Sequence, residues 1–192
     1  MSARADPRPD PFVLAFGDSL TAGYGLARTE AFPARLEALL RARSAGATVH
    51  NAGVSGDTTG SALARLPRLL ASLRRKPDLA IVELGANDML RGVDPTITDR
   101  NLGAILDQIE ACDIRILLAG MIAPPFLGDR AIRFNAVFPA LAARRGVALY
   151  PFFMAGAIGR PELTLRDGLH PSAAAIEIIA RSILPSVEAA LA

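Results

Sequence analysis

Short apolar runs recur along the chain and alternate with longer amphipathic segments. Five of these runs predict β-strands, at residues 12–16, 48–50, 79–84, 114–119 and 147–150. As continuous apolar runs they favour strands that are covered on both faces, because a strand with one solvated face would alternate apolar and polar side chains.

The segments between the predicted strands repeat apolar residues at the i, i+3, i+4, i+7 spacing of one helix face. The five stripes are Phe32, Leu36, Leu39 and Leu40; Leu63, Leu66, Leu70 and Leu73; Leu102, Ile105, Leu106 and Ile109; Phe134, Val137, Phe138 and Leu141; and Ile176, Ile179, Ala180 and Ile183. We expect the second of these helices to bend or break at Pro67, because proline removes a backbone donor. Core packing is the expected role of all five stripes.

Strands that alternate with helices predict a parallel sheet with helices on both faces, since parallel neighbours need long crossover connections. The predicted fold class is therefore α/β, with three α/β/α layers around a five-stranded parallel sheet. The chain has 192 residues, which is the usual length of one domain. Residues 1–192 are predicted to form a single domain, in which residues 1–10 are a flexible tail.

Composition and charge narrow the range of partners. The chain carries 21 Lys and Arg residues against 19 Asp and Glu residues, and the basic residues form short, scattered clusters at predicted helix ends, where they complement the helix dipole. This pattern argues against nucleic-acid binding. The only cysteine is Cys112 and the only histidines are His50 and His170, so neither an internal disulfide nor a zinc cluster of Cys and His alone is possible.

No apolar run is long enough for a membrane span, so integral membrane association is not expected. The first eleven residues are polar and rich in proline, without the apolar stretch of a secretory signal. The sequence as written predicts a cytoplasmic location, or a periplasmic or secreted one if a signal segment has been removed. The pattern carries no indication of an oligomeric state.

The loops that follow the predicted strands are where chemistry is expected, because open α/β sheets bind ligands beyond the carboxyl ends of their strands. These loops span residues 17–25, 51–59, 85–93, 120–128 and 151–171. They contain most of the glycines of the chain.

Two of these loops contain candidates for a nucleophile and its base. Ser19 follows a predicted strand and a glycine, so a tight turn can present its hydroxyl at the edge of the sheet, although serine is also a common helix cap. Asp167 and His170 precede the last predicted helix, where Pro171 fits the first helical position. A carboxylate that accepts the Nδ1–H of an imidazole fixes its tautomer and leaves Nε2 as a base. The alternative for His170 is a structural role.

Two further loops offer hydrogen-bond donors. Asn87 has a neutral amide of the kind that can hold a developing oxyanion, and is otherwise a turn residue. Gly56 offers a backbone N–H that a substrate can approach closely, because glycine has no side chain. Asp57 is interpreted as the cap of the helix that follows. Together the four loops supply the parts needed for acyl transfer through a serine.

Four sequence blocks resemble those of the GDSL, or SGNH, hydrolases. They are residues 17–20 (Gly-Asp-Ser-Leu), residues 55–58 around Gly56, residues 85–88 (Gly-Ala-Asn-Asp) and residues 167–170 (Asp-Gly-Leu-His). Residues 82–85 and 151–154 further resemble the bacterial thioesterase I/lysophospholipase I/arylesterase subgroup. The resemblance extends from residue 12 to about residue 190 and implies the flavodoxin-like fold of this superfamily.

The resemblance also implies roles for particular residues. Ser19, Asp167 and His170 would form the catalytic triad. The backbone N–H groups of Ser19 and Gly56 and the side-chain amide of Asn87 would form the oxyanion hole. The implied reaction needs no metal and no organic cofactor.

The function expected from these observations is a serine hydrolase that cleaves a small-molecule carboxylic ester or thioester through an acyl-enzyme on Ser19. Aryl esters, short- to medium-chain acyl esters, acyl-CoA and lysophospholipids are the candidate substrates. The apolar residues expected to bind the substrate are Met89, Leu90, Pro124, Phe126 and Leu169. Two alternatives stay open: a catalytically silent α/β module that binds a ligand or partner, and a carbohydrate acetylesterase, which the absence of tryptophan disfavours.

Overall fold

Five strands form one sheet within residues 10–192, the part of the chain that the computed structural model describes. The strands are β1 (Phe12–Gly17), β2 (Thr48–Gly53), β3 (Leu79–Glu83), β4 (Arg115–Ala119) and β5 (Ala148–Tyr150). All neighbouring strands are parallel, and their order across the sheet is β2-β1-β3-β4-β5. The predicted parallel sheet is confirmed; the predicted tail at residues 1–10 lies outside the described residues except for Asp10.

Seven α-helices connect and cover these strands within the described residues. They are α1 (Ser19–Ala22), α2 (Phe32–Arg41), α3 (Thr59–Ser72), α4 (Ala86–Arg91), α5 (Pro95–Glu110), α6 (Asp129–Arg145) and α7 (Ala173–Leu191). Three short 3-10 helices lie at Arg28–Glu30, Pro125–Leu127 and Pro161–Leu163. Helix α2 packs on α7, while α3 packs on α5 and α5 on α6, so that helices cover both faces of the sheet in three layers.

The central strands are buried along almost their whole length, but β2 is different. It lies at an edge of the sheet and most of its residues are exposed or half-buried, so the expectation of cover on both faces is wrong for this strand. It also runs to Gly53, three residues beyond its predicted end, because its ladder with β1 continues until Gly17 pairs with Gly53. This extension brings the end of β2 beside the end of β1.

Helix α3 continues through Pro67 to Ser72, so the helix does not break at Pro67. Pro67 is exposed, and the buried positions of this helix are Thr59, Ala62 and Leu66. A proline on the solvent side removes one hydrogen bond without opening the packed face, which explains why the helix tolerates it. None of the helices within residues 10–192 is long and apolar enough to cross a bilayer.

Candidate active site

The candidate nucleophile lies on the turn between β1 and α1. Asp18 caps α1 by accepting a hydrogen bond from the Leu20 N–H to Oδ1, at 3.0 Å. Ser19 is the first residue of that helix. A Cβ atom at Gly17 would collide with the Thr21 hydroxyl and with Glu83, so this tight turn requires glycine. The turn places the Ser19 hydroxyl at the carboxyl edge of the sheet, as predicted.

The structure brings the three side chains of the predicted triad together. The Ser19 Oγ lies 2.9 Å from the His170 Nε2, although the two residues are 151 positions apart in the sequence. The His170 Nδ1 lies 2.7 Å from the Asp167 Oδ2. A continuous hydrogen-bonded chain therefore runs from a carboxylate through an imidazole to a hydroxyl, the arrangement that activates a serine.

Local backbone donors hold the Asp167 carboxylate. Its Oδ1 accepts the N–H of Leu169 at 2.9 Å and the N–H of His170 at 3.0 Å. These backbone bonds, together with the bond to the imidazole, lower the pKa of Asp167 to about 2. The carboxylate is therefore charged at any pH near neutrality and can hold the Nδ1–H of His170.

The segment after His170 differs from the prediction. Helix α7 begins at Ala173 and is capped by Ser172, so Pro171 is not its first residue. Pro171 instead forms an isolated bridge with Thr164, which extends the loop beyond His170 before the helix can begin. The ring of Tyr24, which the sequence did not single out, lies against the His170 imidazole with the centroids 4.4 Å apart.

The three predicted oxyanion donors line one cavity with Ser19 and His170. The Ser19 N–H belongs to the first turn of α1, where a helix provides no acceptor. Among residues 10–192 the Gly56 N–H has no acceptor either. Asn87 is different, because its Nδ2 already donates to the Asp18 Oδ2 and to the Asp57 carbonyl, both at 3.0 Å.

Two buried carboxyl groups, Asp18 and Glu83, lie beneath the nucleophile, and the sequence analysis assigned a role to neither. Asp18 is completely buried; burial raises its pKa to about 6, against the lowering effect of the Leu20 N–H and the Asn87 amide. Glu83 is also completely buried and accepts the Thr21 hydroxyl at Oε2, at 2.7 Å, while its Oε1 has no hydrogen-bond partner within the described residues. Burial raises the pKa of Glu83 well above its ordinary value, and the neighbouring Asp18 charge adds to the effect.

Asp57 is not the helix cap that the sequence predicts. Thr58 caps α3, because its side chain accepts the Ser61 N–H. The Asp57 carboxylate instead accepts the Ser61 hydroxyl at Oδ1, at 2.8 Å, and pairs with the Arg65 Nε at Oδ2, at 2.6 Å. Asp57 therefore connects the loop that contains Gly56 to the body of α3.

The cavity beside the triad has a volume of about 400 Å³ and is mainly apolar. Of the residues predicted to bind the substrate, Met89, Leu90 and Leu169 line this cavity.

Pro124 and Phe126 do not line the cavity, so their predicted role in substrate binding is corrected. Phe126 is 85% exposed, and the segment contributes Met121 and Ile122 instead. The Asn135 side chain binds both the N–H and the carbonyl of Ala123. The chain then leaves the cavity for the 3-10 helix at Pro125–Leu127.

Comparisons with known proteins agree with this geometry. The family described as GDSL-like lipase/acylhydrolase matches residues 15–178. A curated arylesterase of Vibrio mimicus is 40% identical over 160 residues, which cover 83% of this chain and 79% of the relative. The thioesterase 1/protease 1/lysophospholipase L1 of Escherichia coli is 39% identical over 169 residues, covering 88% and 79%.

Among solved structures, AlinE4, described as a SGNH-hydrolase family esterase, superposes with a TM-score of 0.80 at 44% identity. The match covers 96% of this chain and 98% of AlinE4. Sequence and structure thus agree over nearly the whole length of the described fold, with Ser19 and His170 inside the matched region. The chain belongs to the GDSL-like lipase/acylhydrolase family.

Proposed function

We propose that the protein hydrolyses carboxylic esters and thioesters through an acyl-enzyme on Ser19. The observation that carries this proposal is the hydrogen-bonded chain from Asp167 through His170 to Ser19 at the wall of an apolar cavity. A hydroxyl, a base and an orienting carboxylate at these distances are the parts that nucleophilic catalysis requires.

In the first half of the reaction, the Ser19 Oγ attacks the carbonyl carbon of the substrate, and His170 Nε2 takes the hydroxyl proton. The ionised Asp167 stabilises the imidazolium that forms. When the tetrahedral intermediate collapses, the bond to the leaving group breaks and His170 gives its proton to the departing alcohol or thiol. In the second half, water attacks the acyl-enzyme with the same base, and the carboxylic acid is released.

The oxyanion that forms in each half needs donors aimed at it. We assign this role to the N–H groups of Ser19 and Gly56 and to Asn87, which lines the same cavity. Both amide protons of Asn87 already have acceptors before substrate binds, namely Asp18 and the Asp57 carbonyl. In the proposed mechanism, the proton donated to the Asp57 carbonyl is shared with the oxyanion once it forms. Donors that are already fixed in place stabilise a transition state without reorganisation.

The cavity indicates the substrate class. Its lining is largely apolar around the triad, which suits an acyl chain or an aryl ring. The relatives named arylesterase and thioesterase 1/protease 1/lysophospholipase L1 have names that match such substrates. We propose aryl esters, medium-chain acyl-CoA thioesters and lysophospholipids as the substrates to compare.

Covalent labelling tests the proposal. A fluorophosphonate probe is expected to attach to Ser19, as read by peptide mass spectrometry, and Ser19→Ala is expected to abolish both labelling and hydrolysis. Labelling of another residue, or hydrolysis by the Ser19→Ala variant at the wild-type rate, would show that the nucleophile is assigned wrongly. An unlabelled, inactive wild-type protein would favour the ligand-binding module. Rates on p-nitrophenyl butyrate, octanoyl-CoA and lysophosphatidylcholine then rank the substrates.

A further inference from the structure

Arg65 lies on α3, does not line the cavity and yet contacts two of the three loops that supply the oxyanion donors, those of Ser19 and Gly56. One of its terminal nitrogens donates to the Gly17 carbonyl at 3.1 Å and to the Ala52 carbonyl at 2.9 Å. Its Nε donates to the Asp57 Oδ2 at 2.6 Å. One guanidinium therefore connects the end of β1, the end of β2 and the loop that follows β2.

Two of these contacts, at Gly17 and Asp57, lie close in the sequence to proposed oxyanion donors. The Gly17 carbonyl closes β1 directly before the Asp18–Ser19 turn, and it also accepts the Val54 N–H at 3.0 Å. Asp57 directly follows Gly56, and its carbonyl accepts the amide of Asn87. Arg65 therefore joins the loop that supplies the Ser19 N–H to the loop that supplies the Gly56 N–H.

The contacts around Arg65 hold its side chain in one position. Its side chain is 25% exposed and that of Asp57 is 9% exposed, so water competes little for the ion pair. The guanidinium also lies over the ring of Phe16, 4.4 Å from the ring centre. A planar guanidinium can donate in several fixed directions and stack on an aromatic ring at the same time, whereas the ammonium of lysine is a single charged point.

We propose that Arg65, paired with Asp57, is a positioning residue that sets the geometry of the oxyanion hole. This inference rests on the proposed function, because it assigns a role relative to the donors of Ser19, Gly56 and Asn87. Arg65 does not touch the substrate, so its loss weakens binding of the tetrahedral transition state while binding of the ester in its ground state stays the same. Such a loss lowers kcat and leaves KM unchanged.

The test compares Arg65→Gln and Arg65→Lys with a matched control, Arg68→Gln. Arg68 is exposed on the same helix, and its side chain has no hydrogen bond or ion pair with another of residues 10–192. With p-nitrophenyl butyrate, we expect Arg65→Gln to lower kcat by about 10- to 100-fold, the size of effect that a small misplacement of catalytic groups produces. KM should stay within about two-fold, and the affinity for butylboronic acid, which forms a tetrahedral adduct with a catalytic serine, should weaken in proportion to kcat.

Arg65→Lys should lose nearly as much as Arg65→Gln. Lysine keeps the charge, but its donors share one nitrogen, whereas the three bonds of Arg65 come from two separate nitrogens of a planar group. Asp57→Asn provides a second variant if Arg65→Gln does not fold, since it leaves the two bonds from Arg65 to backbone carbonyls; we expect the same split between kcat and KM. Wild-type kcat and boronic acid affinity in Arg65→Gln or Asp57→Asn would overturn the inference, as would full rescue by lysine. Fluorophosphonate labelling of the wild-type Ser19 separates the two proposals: without it the proposed function fails, and with it only the role of Arg65 is in question.

Discussion

Two aspartates of the candidate site, Asp18 and Asp167, occupy opposite environments. Asp18, directly before Ser19, is completely buried, and burial raises its pKa to about 6. The Asp167 side chain is 38% exposed, and backbone N–H groups lower its pKa to about 2. We call the residues around Ser19, with Asp18 and Glu83, the nucleophile side of the site, and Asp167 with His170 the acid–base side. Ionisation of the carboxyl group is therefore disfavoured on the nucleophile side and favoured on the acid–base side.

The difference shows that the two sides are held together by different kinds of contact. On the nucleophile side, buried bonds join residues far apart in the sequence, such as Asn87 to Asp18 and Thr21 to Glu83. On the acid–base side, the hydrogen bonds of Asp167 all go to residues two or three positions away. We infer that the nucleophile side depends on the folded core, whereas a short loop is enough to orient the base.

Among the changes that affect one side of the site and not the other, Asp167→Asn is expected to reduce activity the most. The amide can donate to the His170 Nδ1, which favours the tautomer with a proton on Nε2 and removes the base; the expected loss in kcat is about 10⁴-fold. The midpoint of thermal unfolding should fall only modestly. The bonds that lower the Asp167 pKa also stabilise the folded state, but the side chain is partly exposed and the oxygen of asparagine can still accept the backbone N–H groups. Ester hydrolysis and circular dichroism measure the two quantities.

Preserved activity in Asp167→Asn would contradict the assignment of Asp167 as the residue that orients His170. A large fall in the unfolding midpoint would contradict the idea that this side of the site contributes little to the fold. Asp94→Asn, another exposed carboxyl group with a lowered pKa, serves as the control for stability.

The acid–base side was easier to predict from the sequence for the same reason. Asp167 and His170 are three positions apart, so the spacing shows that the two side chains can meet. The carboxyl ends of parallel strands share one edge of the sheet, which is why Ser19 could be expected nearby. The position of Pro171 was wrong because its bridge to Thr164 cannot be read from spacing. Local contacts are visible in a sequence, and contacts between distant segments are not.

The buried contacts of the nucleophile side join residues that are far apart in the sequence, so no local pattern predicts them. Arg65 and Gly17 are 48 positions apart, and Asn87 and Asp18 are 69 positions apart. Glu83 lies within an apolar run that predicts a strand, and that pattern does not indicate a buried carboxyl group. Phe126 is a different case: its apolar character does not reveal whether it faces the cavity or solvent.

Asn87→Ala tests the long-range contacts of the nucleophile side. It removes one oxyanion donor and also the donor that Asn87 provides to the buried Asp18, so kcat should fall by about 10²- to 10³-fold. Unlike Asp167→Asn, it should also lower stability at pH 8, where the Asp18 carboxylate has lost its partner. Kinetics together with urea unfolding check both effects. A loss of activity without any loss of stability would show that Asn87 contributes only to catalysis.

The pH dependence of stability is expected to have opposite signs on the two kinds of carboxyl group. Because the pKa of Asp18 is raised from 3.8 to about 6, the folded protein holds its proton more tightly than the unfolded chain does. The stability that this provides is complete below about pH 4 and is lost as the pH rises through 6, an effect of at most about 3 kcal/mol. Asp18→Asn should therefore gain stability relative to the wild type between pH 4 and pH 8.

Urea unfolding at the two pH values measures this change, and Asp94→Asn is the control. Hydrogen bonds from Thr96 lower the pKa of the exposed Asp94, so its contribution to stability is present at neutral pH and is lost as the pH falls below its ordinary pKa. Because pH 4 to pH 8 lies above that pKa, the difference in stability between the control and the wild type should hardly change across this range. A change in Asp94→Asn as large as that in Asp18→Asn would show that burial does not set the titration of Asp18.

The smallest expected effect compares one hydroxyl on each side of the site. Thr21 donates to the buried Glu83, whose Oε1 has no partner among residues 10–192, and Thr164 donates to the Pro161 carbonyl near the surface. Thr21→Val should lower the free energy of unfolding by about 1–3 kcal/mol, because no water replaces the lost donor. Thr164→Val should change it by no more than about 0.5 kcal/mol. Equal losses in urea unfolding would mean that the buried contacts beneath Ser19 stabilise the fold no more than the local contacts near His170 do.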